Sequence, residues 1–226
     1  SDDERRLLLL IGMAAGLSAI FRTPIGAAIL AVEVLYSESE FQADALLYTV
    51  LSSVVAYTLN GVIVGWEPIF DVPATLGIES AVQFLEFALL GVLGGLVAAT
   101  LPSIFYGTRD LFQRVPVPPH IKPAIGGLLV GLMALELPQV LGGGYGWIQL
   151  AMDGQLSAAL LATLVFAKIV AMALTVGSGG SGGVFAPTLF SGAMIGGVLA
   201  SVFNQPPTAF VLVGMAAVFS GAARIP

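Results

Sequence analysis

No charged residue occurs between Lys168 and Arg224, and a glycine-rich run, Gly177–Pro187, lies inside this stretch. The run reads Gly-Ser-Gly-Gly-Ser-Gly-Gly-Val-Phe-Ala-Pro, and apolar sequence flanks it on both sides. A flexible run belongs at a surface, whereas these flanks are typical of membrane helices. Irregular backbone at membrane depth is tolerated only where it is buried in protein or lines a polar cavity. The stretch therefore predicts two membrane helices joined by a break at such a cavity.

The composition of the whole chain favours the same class of protein. Hydrophobic residues make up 57% of the 226 residues and charged residues 10%, whereas soluble domains carry about 25% charged residues. So few charges do not cover the core of a soluble protein of this size. Long continuous apolar runs argue against a membrane β-barrel, whose strands alternate with period two. We therefore predict an all-α polytopic membrane protein whose surroundings are the lipid bilayer.

Several functional classes find no support in the residues. The chain has no cysteine, so disulfides and thiolate chemistry are excluded, and its single histidine, His120, offers no metal site. No basic cluster suggests nucleic-acid binding. Neither a Ser-His-Asp set nor the Lys-Ser/Thr that follows a phosphate-binding glycine loop is present. We expect a protein that is not an enzyme and that needs no cofactor.

Apolar segments separated by proline, glycine and polar residues predict the helices. A helix over 79–114 would be about 54 Å long, which exceeds a bilayer core of about 30 Å and requires tilt. We predict a loop over 138–154. Several segments are too short to span, and such broken helices are typical of transporters with a binding site at the midplane. The predicted segments are 7–21, 24–36, 45–66, 79–114, 121–137, 156–176, 185–203 and 208–219.

A weak internal repeat supports the transport interpretation. Residues 11–24 align with residues 213–226, and seven of fourteen positions are identical. Chance similarity between two Gly/Ala-rich segments is the alternative explanation. Transporters often contain duplicated halves of inverted topology. We therefore predict that about 1–66 is the end of a first repeat and about 79–226 is the start of a second, within one transmembrane domain.

The glycine run has the features of an anion cradle. Glycine permits unusual dihedral angles and close backbone approach. The N–H groups near Gly183, Val184 and Phe185 open a helix, where the dipole and the free donors attract anions. Neutral dipoles attract a halide without trapping it. The alternative is a flexible Gly/Ser linker.

These residues carry a family resemblance. Gly183 to Pro187 resembles the G-x-F-x-P anion-selectivity motif of the CLC chloride channels and chloride/proton exchangers. Residues 14–33 are similar to a family segment with conserved spacing of Ala, Gly, Phe, Pro and Glu, and Leu141 to Gly146 resembles its glycine-rich loop. The resemblance covers essentially the whole chain and implies a CLC-like inverted-repeat fold with tilted and broken helices. The remaining selectivity-motif residues would be Gly177, Ser178, Gly179, Gly182, Ala186 and Pro187.

The resemblance also implies the ion, the assembly and the location. Val184 and Phe185 would donate backbone N–H groups to chloride, in a homodimer with one pathway per subunit. The family's serine loop, gating-glutamate loop and C-terminal tyrosine have no counterpart in residues 1–226. We expect them before Ser1 and after Pro226, which would make this chain the central part of a multi-pass protein of the cell membrane, the plasma membrane of a bacterium.

Two charged residues stand out in apolar sequence. Glu33 either belongs to the ion pathway, because charges within membranes are costly, or lies at the water interface. Lys168 either raises the local anion potential or has a structural role, snorkelling to the interface or neutralising a carboxylate.

The sequence leaves three functions open. Exchangers of the family commonly carry a second glutamate after the position of Glu33, and this chain has Val34 there. Valine cannot accept a proton, so voltage-gated-chloride-channel-type anion transport is favoured. The alternative within the family is a proton-coupled chloride or fluoride exchanger. The alternative of another class is a membrane scaffold whose glycine motif only packs helices.

Overall fold

The structure is a computed structural model that describes residues 2–35, 43–74, 76–78 and 80–223. Within these ranges it contains nine α-helices and one 3₁₀ helix and no strand. The all-α prediction is therefore confirmed. The helices are α1 Asp2–Phe21, α2 Pro24–Leu35, α3 Ala43–Val64, α4 Val82–Arg114, α5 Lys122–Glu136, α6 Tyr145–Met152, α7 Ala158–Gly177, α8 Phe185–Phe203 and α9 Pro207–Ala223, with the 3₁₀ helix at Pro138–Val140.

Proline and glycine mark most helix ends where the sequence predicts them. α2 begins at Pro24, and α5 carries proline in its first turn, where the missing N–H costs little. The prediction of a loop over 138–154 is wrong, because this segment contains the 3₁₀ helix and α6. α6 has only 8 residues, of which Ile148, Ala151 and Met152 are buried, and the helix packs against α8 and α9. Tertiary burial outweighs the loop signal of the surrounding glycines.

Four helices are long and apolar enough to cross a membrane, judged by length and composition: residues Ala45–Val64 of α3, and α4, α7 and α8. α4 has 33 residues, so it extends about 50 Å and exceeds the bilayer core of about 30 Å. This confirms the predicted long helix. α4 must therefore tilt in the bilayer, or one of its ends must project beyond the apolar layer.

The chain forms two compact units, which meet in sequence at Asp71 and Val72. One unit contains α1 to α3, and the other contains α4 to α9. The two compact units do not test the predicted division into two sequence repeats, which stays a prediction. Its first segment, 11–24, runs from α1 to the first residue of α2, and its second segment lies in α9 up to Ala223, with its last three residues, 224–226, outside the described residues.

A polar seam joins α1 and α3 in the first unit. Ser18 Oγ donates to the carbonyl of Ser53 at 2.7 Å, and Ser52 Oγ donates to the carbonyl of Ile11 at 3.1 Å. Asn60 Nδ2 donates to the carbonyl of Ala19 at 2.9 Å. Small residues and side-chain hydrogen bonds hold helices together in membranes, where the hydrophobic effect does not.

Ser18→Ala tests this seam. We expect the substitution to destabilise the protein by about 0.6 kcal/mol, and at most about 1.7 kcal/mol, the range measured for such bonds in membranes. Thr58→Ala is the matched control, because within the described part of the chain the Thr58 hydroxyl bonds only Val54 of its own helix, at 2.8 Å. Thermal unfolding in detergent measures both. Equal losses for the two variants would contradict an inter-helix role for Ser18.

Glycines bring α8 and α9 into backbone contact in the second unit. A Cβ atom built on Gly192 would lie 2.8 Å from the carbonyl carbon of Gly214. One built on Gly196 would lie 2.6 Å from the carbonyl carbon of Phe210. The spacing Gly-x-x-x-Gly places both glycines on one face of α8, which permits this close approach. The contact positions α8, whose first turn contains the last three residues of the glycine run.

Candidate functional site

α7 ends at the start of the glycine run. The N–H of Gly180 donates to the carbonyl of Thr175, and the N–H of Gly179 donates to the carbonyl of Val176, both at 3.0 Å. Gly179 has φ +97°, which an L side chain rarely adopts. These two bonds form a Schellman motif, which satisfies the last carbonyls of the helix. The first three residues of the run therefore terminate α7.

α8 begins at the other end of the run, as the sequence predicts. Its first residue is Phe185, Val184 is its N-cap, and its first turn contains no acidic residue. The Val184 carbonyl accepts the bond from the N–H of Thr188 at 3.1 Å. Among the described residues, the N–H groups of Gly183 and Val184 have no hydrogen-bond acceptor. The positive end of the helix dipole is thus uncompensated by an acidic side chain.

A cavity of about 470 Å³ lies beside the run. The volume greatly exceeds the roughly 30 Å³ that one water molecule occupies in the liquid, so the cavity is large enough for a small ion with part of its hydration shell. Lys168 is the one charged residue among the described residues that line this cavity. Val184 and Phe185 are not among the lining residues, so the direction of their N–H groups toward a polar cleft stays a prediction. The run contributes Ser181, Gly182, Gly183, Ala186 and Pro187 to the wall.

Lys168 lies in α7 and binds the loop that precedes α6. Its Nζ donates to the carbonyl of Val140 at 2.8 Å and to the carbonyl of Gly142 at 2.7 Å. The side chain is 3% exposed, and its Nζ lies 4.9 Å from the centre of the Phe190 ring. Among the described residues, Lys168 pairs with no carboxylate, and the choice between a structural role and a role in the anion potential stays a prediction. Carbonyl dipoles and an aromatic face stabilise the ammonium instead.

Phe190 also fixes the glycine loop, Leu141–Gly144, from the other side. Gly144 has φ +78° and caps α6, and a Cβ atom there would lie 2.7 Å from Cε2 of Phe190. Ser191, the next residue of α8, donates its hydroxyl to the carbonyl of Val165 in α7 at 2.8 Å. α7, α8 and the glycine loop thus form one packed wall around Lys168.

The structure brings together some of the predicted site residues and separates others. Gly182, Gly183, Ala186 and Pro187 share the cavity with Lys168. Gly177, Ser178 and Gly179 line a second cavity, beside α4 and α5. Glu33 is half-buried in the last turn of α2, in the other compact unit. The ring of Phe185 packs on Phe219 of α9, with ring centres 4.5 Å apart.

Sequence reasoning missed the residues that hold the site in place. The glycines at 142 to 144 indicate a loop, but nothing in the sequence pairs the carbonyls of Val140 and Gly142 with Lys168. The contact of Gly126, on α5, with the end of α7 was not predicted either. A Cβ atom there would lie 2.5 Å from the carbonyl oxygen of Leu174 and 2.7 Å from Cβ of Ser178. Gly126 therefore lets α5 support the end of α7 at the start of the run.

Gly126→Ala tests that support. We expect a loss of about 1–3 kcal/mol, the usual cost of overpacking, because the added methyl meets backbone that cannot move independently. The neighbouring Gly127→Ala is the control, since no atom lies within 4 Å of a Cβ at that position. Thermal unfolding in detergent compares the two. An equally large loss of stability for Gly127→Ala would show that alanine destabilises α5 at either position. The contact of Gly126 with the end of α7 would then not be the cause.

Comparison of the sequence with known proteins finds a chloride channel family and chloride transport proteins. The family described as voltage gated chloride channel matches residues 1–226. The H(+)/Cl(-) exchange transporter ClcA of Salmonella agona is 31% identical, over 100% of this chain and 50% of that protein. Chloride channel protein CLC-f of Arabidopsis thaliana is 30% identical, over 100% of this chain and 32% of that protein.

The structural comparison agrees with the sequence comparison. A crystal structure of a CLC-type fluoride/proton antiporter superposes with a TM-score of 0.82 and 28% identity, over 97% of this chain and 55% of that one. The chain spans about half the length of the prokaryotic relatives that it matches.

Proposed function

This chain belongs to the voltage gated chloride channel family, and we propose that the complete protein moves chloride across a membrane. Backbone amides at the N-terminus of α8 bind the ion. Gly183, Val184 and Phe185 supply these donors, and the rest of Gly177–Pro187 gives the backbone the freedom to present them. Chloride is the transported ion, and the protein uses no cofactor for this step.

One observation carries the proposal. The N-terminus of α8 has no acidic residue in its first turn, and the N–H groups of Gly183 and Val184 have no acceptor among the described residues. Gly183 lines a cavity that also holds a buried lysine. A helix N-terminus with free donors is an anion-binding arrangement. A scaffold role does not require free donors beside a cavity.

The assembly of the complete protein extends the proposal. The relatives are about twice as long as this chain, so further groups of the anion site are contributed by sequence outside residues 1–226. The complete protein is a homodimer in the lipid bilayer, with one pathway per subunit.

Val34 favours transport without proton coupling, because valine cannot accept a proton. Coupled exchange is the second candidate function, since the names of the ClcA relatives and of the similar crystal structure state proton exchange. Chloride efflux from liposomes that hold the complete protein, followed with chloride and pH electrodes, distinguishes them. Proton counterflow in a constant ratio to chloride would overturn the uncoupled mechanism and establish exchange.

Val184→Pro tests the amide site directly. Proline has no N–H, so the substitution removes one donor that has no acceptor in the described structure. A hydrogen bond to a charged group contributes about 1.5–3 kcal/mol, so we expect chloride affinity to fall by about tenfold or more. Isothermal titration of the complete protein with chloride measures the affinity. Val184→Ala keeps the donor and should bind normally, and an equal loss in both variants would contradict the proposal.

A further inference from the structure

The basic residues of the chain are concentrated where α4 meets α5. Three of its eight Lys and Arg residues, Arg109, Arg114 and Lys122, lie within residues 109–122, and Asp110 is the one acidic residue there. The connection between α3 and α4 has the opposite character, with acidic residues and no Lys or Arg between residues 65 and 81. Cytoplasmic connections carry the excess of basic residues. The charge asymmetry therefore places the C-terminal end of α4 at the cytoplasmic surface.

Two of these cations face one cavity. Arg109 of α4 and Lys122 of α5 line a space of about 500 Å³, together with the end of α7 at Val176 to Gly179. This volume lies within the range of about 300–1,000 Å³ that is typical of ligand sites. The cavity is distinct from the one that contains Lys168, because Val176 is the one described residue that lines both.

Neither cation is neutralised inside the described structure. Arg109 and Lys122 form no ion pair with a described carboxylate, and Lys122 Nζ makes one long hydrogen bond, 3.4 Å, to the carbonyl of Gln113. Two such cations on separate helices attract the same ligand. Arginine presents a planar fork of donors that matches phosphate oxygens, and lysine adds a point charge.

Two aromatic residues contribute an apolar part of the cavity wall, beside the polar residues Gln113 and Ser178. The rings of Phe105 and Phe112 line it, and both residues lie on α4, which is apolar enough to span a membrane. An acyl chain or glycerol backbone fits against such rings, whereas a free anion gains nothing from them. Because α4 is longer than the apolar layer is thick, its cationic end lies at headgroup level. Basic pockets between membrane helices on the cytoplasmic side bind the headgroups of anionic lipids.

We propose that Arg109 and Lys122 form a binding site for the phosphate of an anionic phospholipid, whose apolar part packs against Phe105 and Phe112. The phosphate lies between the guanidinium and the ammonium. The site adjoins the first residues of the glycine run and is distinct from the proposed chloride site.

The test measures lipid binding to the complete protein in detergent. Dioleoyl-phosphatidylglycerol should raise the melting temperature saturably, because a ligand that binds only the folded state stabilises it. Zwitterionic dioleoyl-phosphatidylcholine should not. Inorganic phosphate is the third probe, and it should bind far more weakly than the lipid. Stabilisation by phosphate alone, with no preference between the two lipids, would overturn the lipid assignment.

Single variants locate the site. Arg109→Gln and Lys122→Gln should each raise the half-saturating lipid concentration by about fivefold, the effect of one cation near a lipid surface. Arg114→Gln is the matched control, since Arg114 shares the end of α4 but does not line the cavity. An equal loss in Arg114→Gln would show diffuse surface attraction and overturn the proposal. If one variant fails to fold in phosphatidylcholine, the other two still decide the comparison.

Discussion

Gly196→Ala is expected to destabilise the protein strongly, although it adds a single methyl group. The added Cβ would lie 2.6 Å from the carbonyl carbon of Phe210 and 2.8 Å from Cα of Val211. Both are backbone atoms of α9, so no side chain can rotate away and the helices must separate. Overpacking of this kind costs about 1–3 kcal/mol, and we expect the upper end of that range. Separation would also expose Phe210, which is fully buried.

Gly95→Ala is the matched control for Gly196→Ala. Gly95 lies inside α4, it is exposed, and no atom lies within 4 Å of a Cβ built there. Alanine favours a helix over glycine by about 1 kcal/mol, so this variant should be neutral or slightly stabilised. Thermal unfolding in detergent, followed by circular dichroism, measures both. A wild-type melting temperature for Gly196→Ala would contradict the close contact between α8 and α9.

Lys168→Met is expected to impair both stability and transport. The substitution leaves the carbonyls of Val140 and Gly142 without the donors that they have at 2.8 Å and 2.7 Å. A buried polar group without a partner costs about 1–3 kcal/mol. The substitution also removes the one charged side chain among the described residues that line the proposed chloride cavity. A positive charge in a cleft of low dielectric raises the rate of anion entry by about tenfold or more, so chloride flux should fall by a similar factor.

Lys168→Arg distinguishes the two effects of Lys168→Met. Arginine keeps the charge and can donate to both carbonyls, but its shape differs from that of lysine. We expect its flux and melting temperature to lie between those of the wild type and Lys168→Met. Chloride efflux from liposomes and thermal unfolding of the complete protein provide the two measurements. Normal flux in Lys168→Met, with a lowered melting temperature, would restrict Lys168 to a structural role.

Most helices could be predicted because their signals are local. Long apolar segments set the spans, and Pro24 and the glycine run mark helix ends through their own backbone chemistry. α6 could not be predicted, because its 8 residues form too short a helix to be stable alone. Its burial against α8 and α9 stabilises it, and the order of residues within 145–152 does not indicate these contacts.

The sequence by itself determined the membrane class, the break between α7 and α8, and the family motif at Gly183 to Pro187. These follow from composition and from the dihedral freedom of glycine, which act over a few residues. Only the tertiary structure decided the partners of Lys168, which lie 28 and 26 residues away, and the close contact of α8 with α9. The physical reason is that the hydrogen-bond partners of a buried charge are the carbonyl groups that tertiary packing places next to it. This packing depends on residues throughout the compact unit.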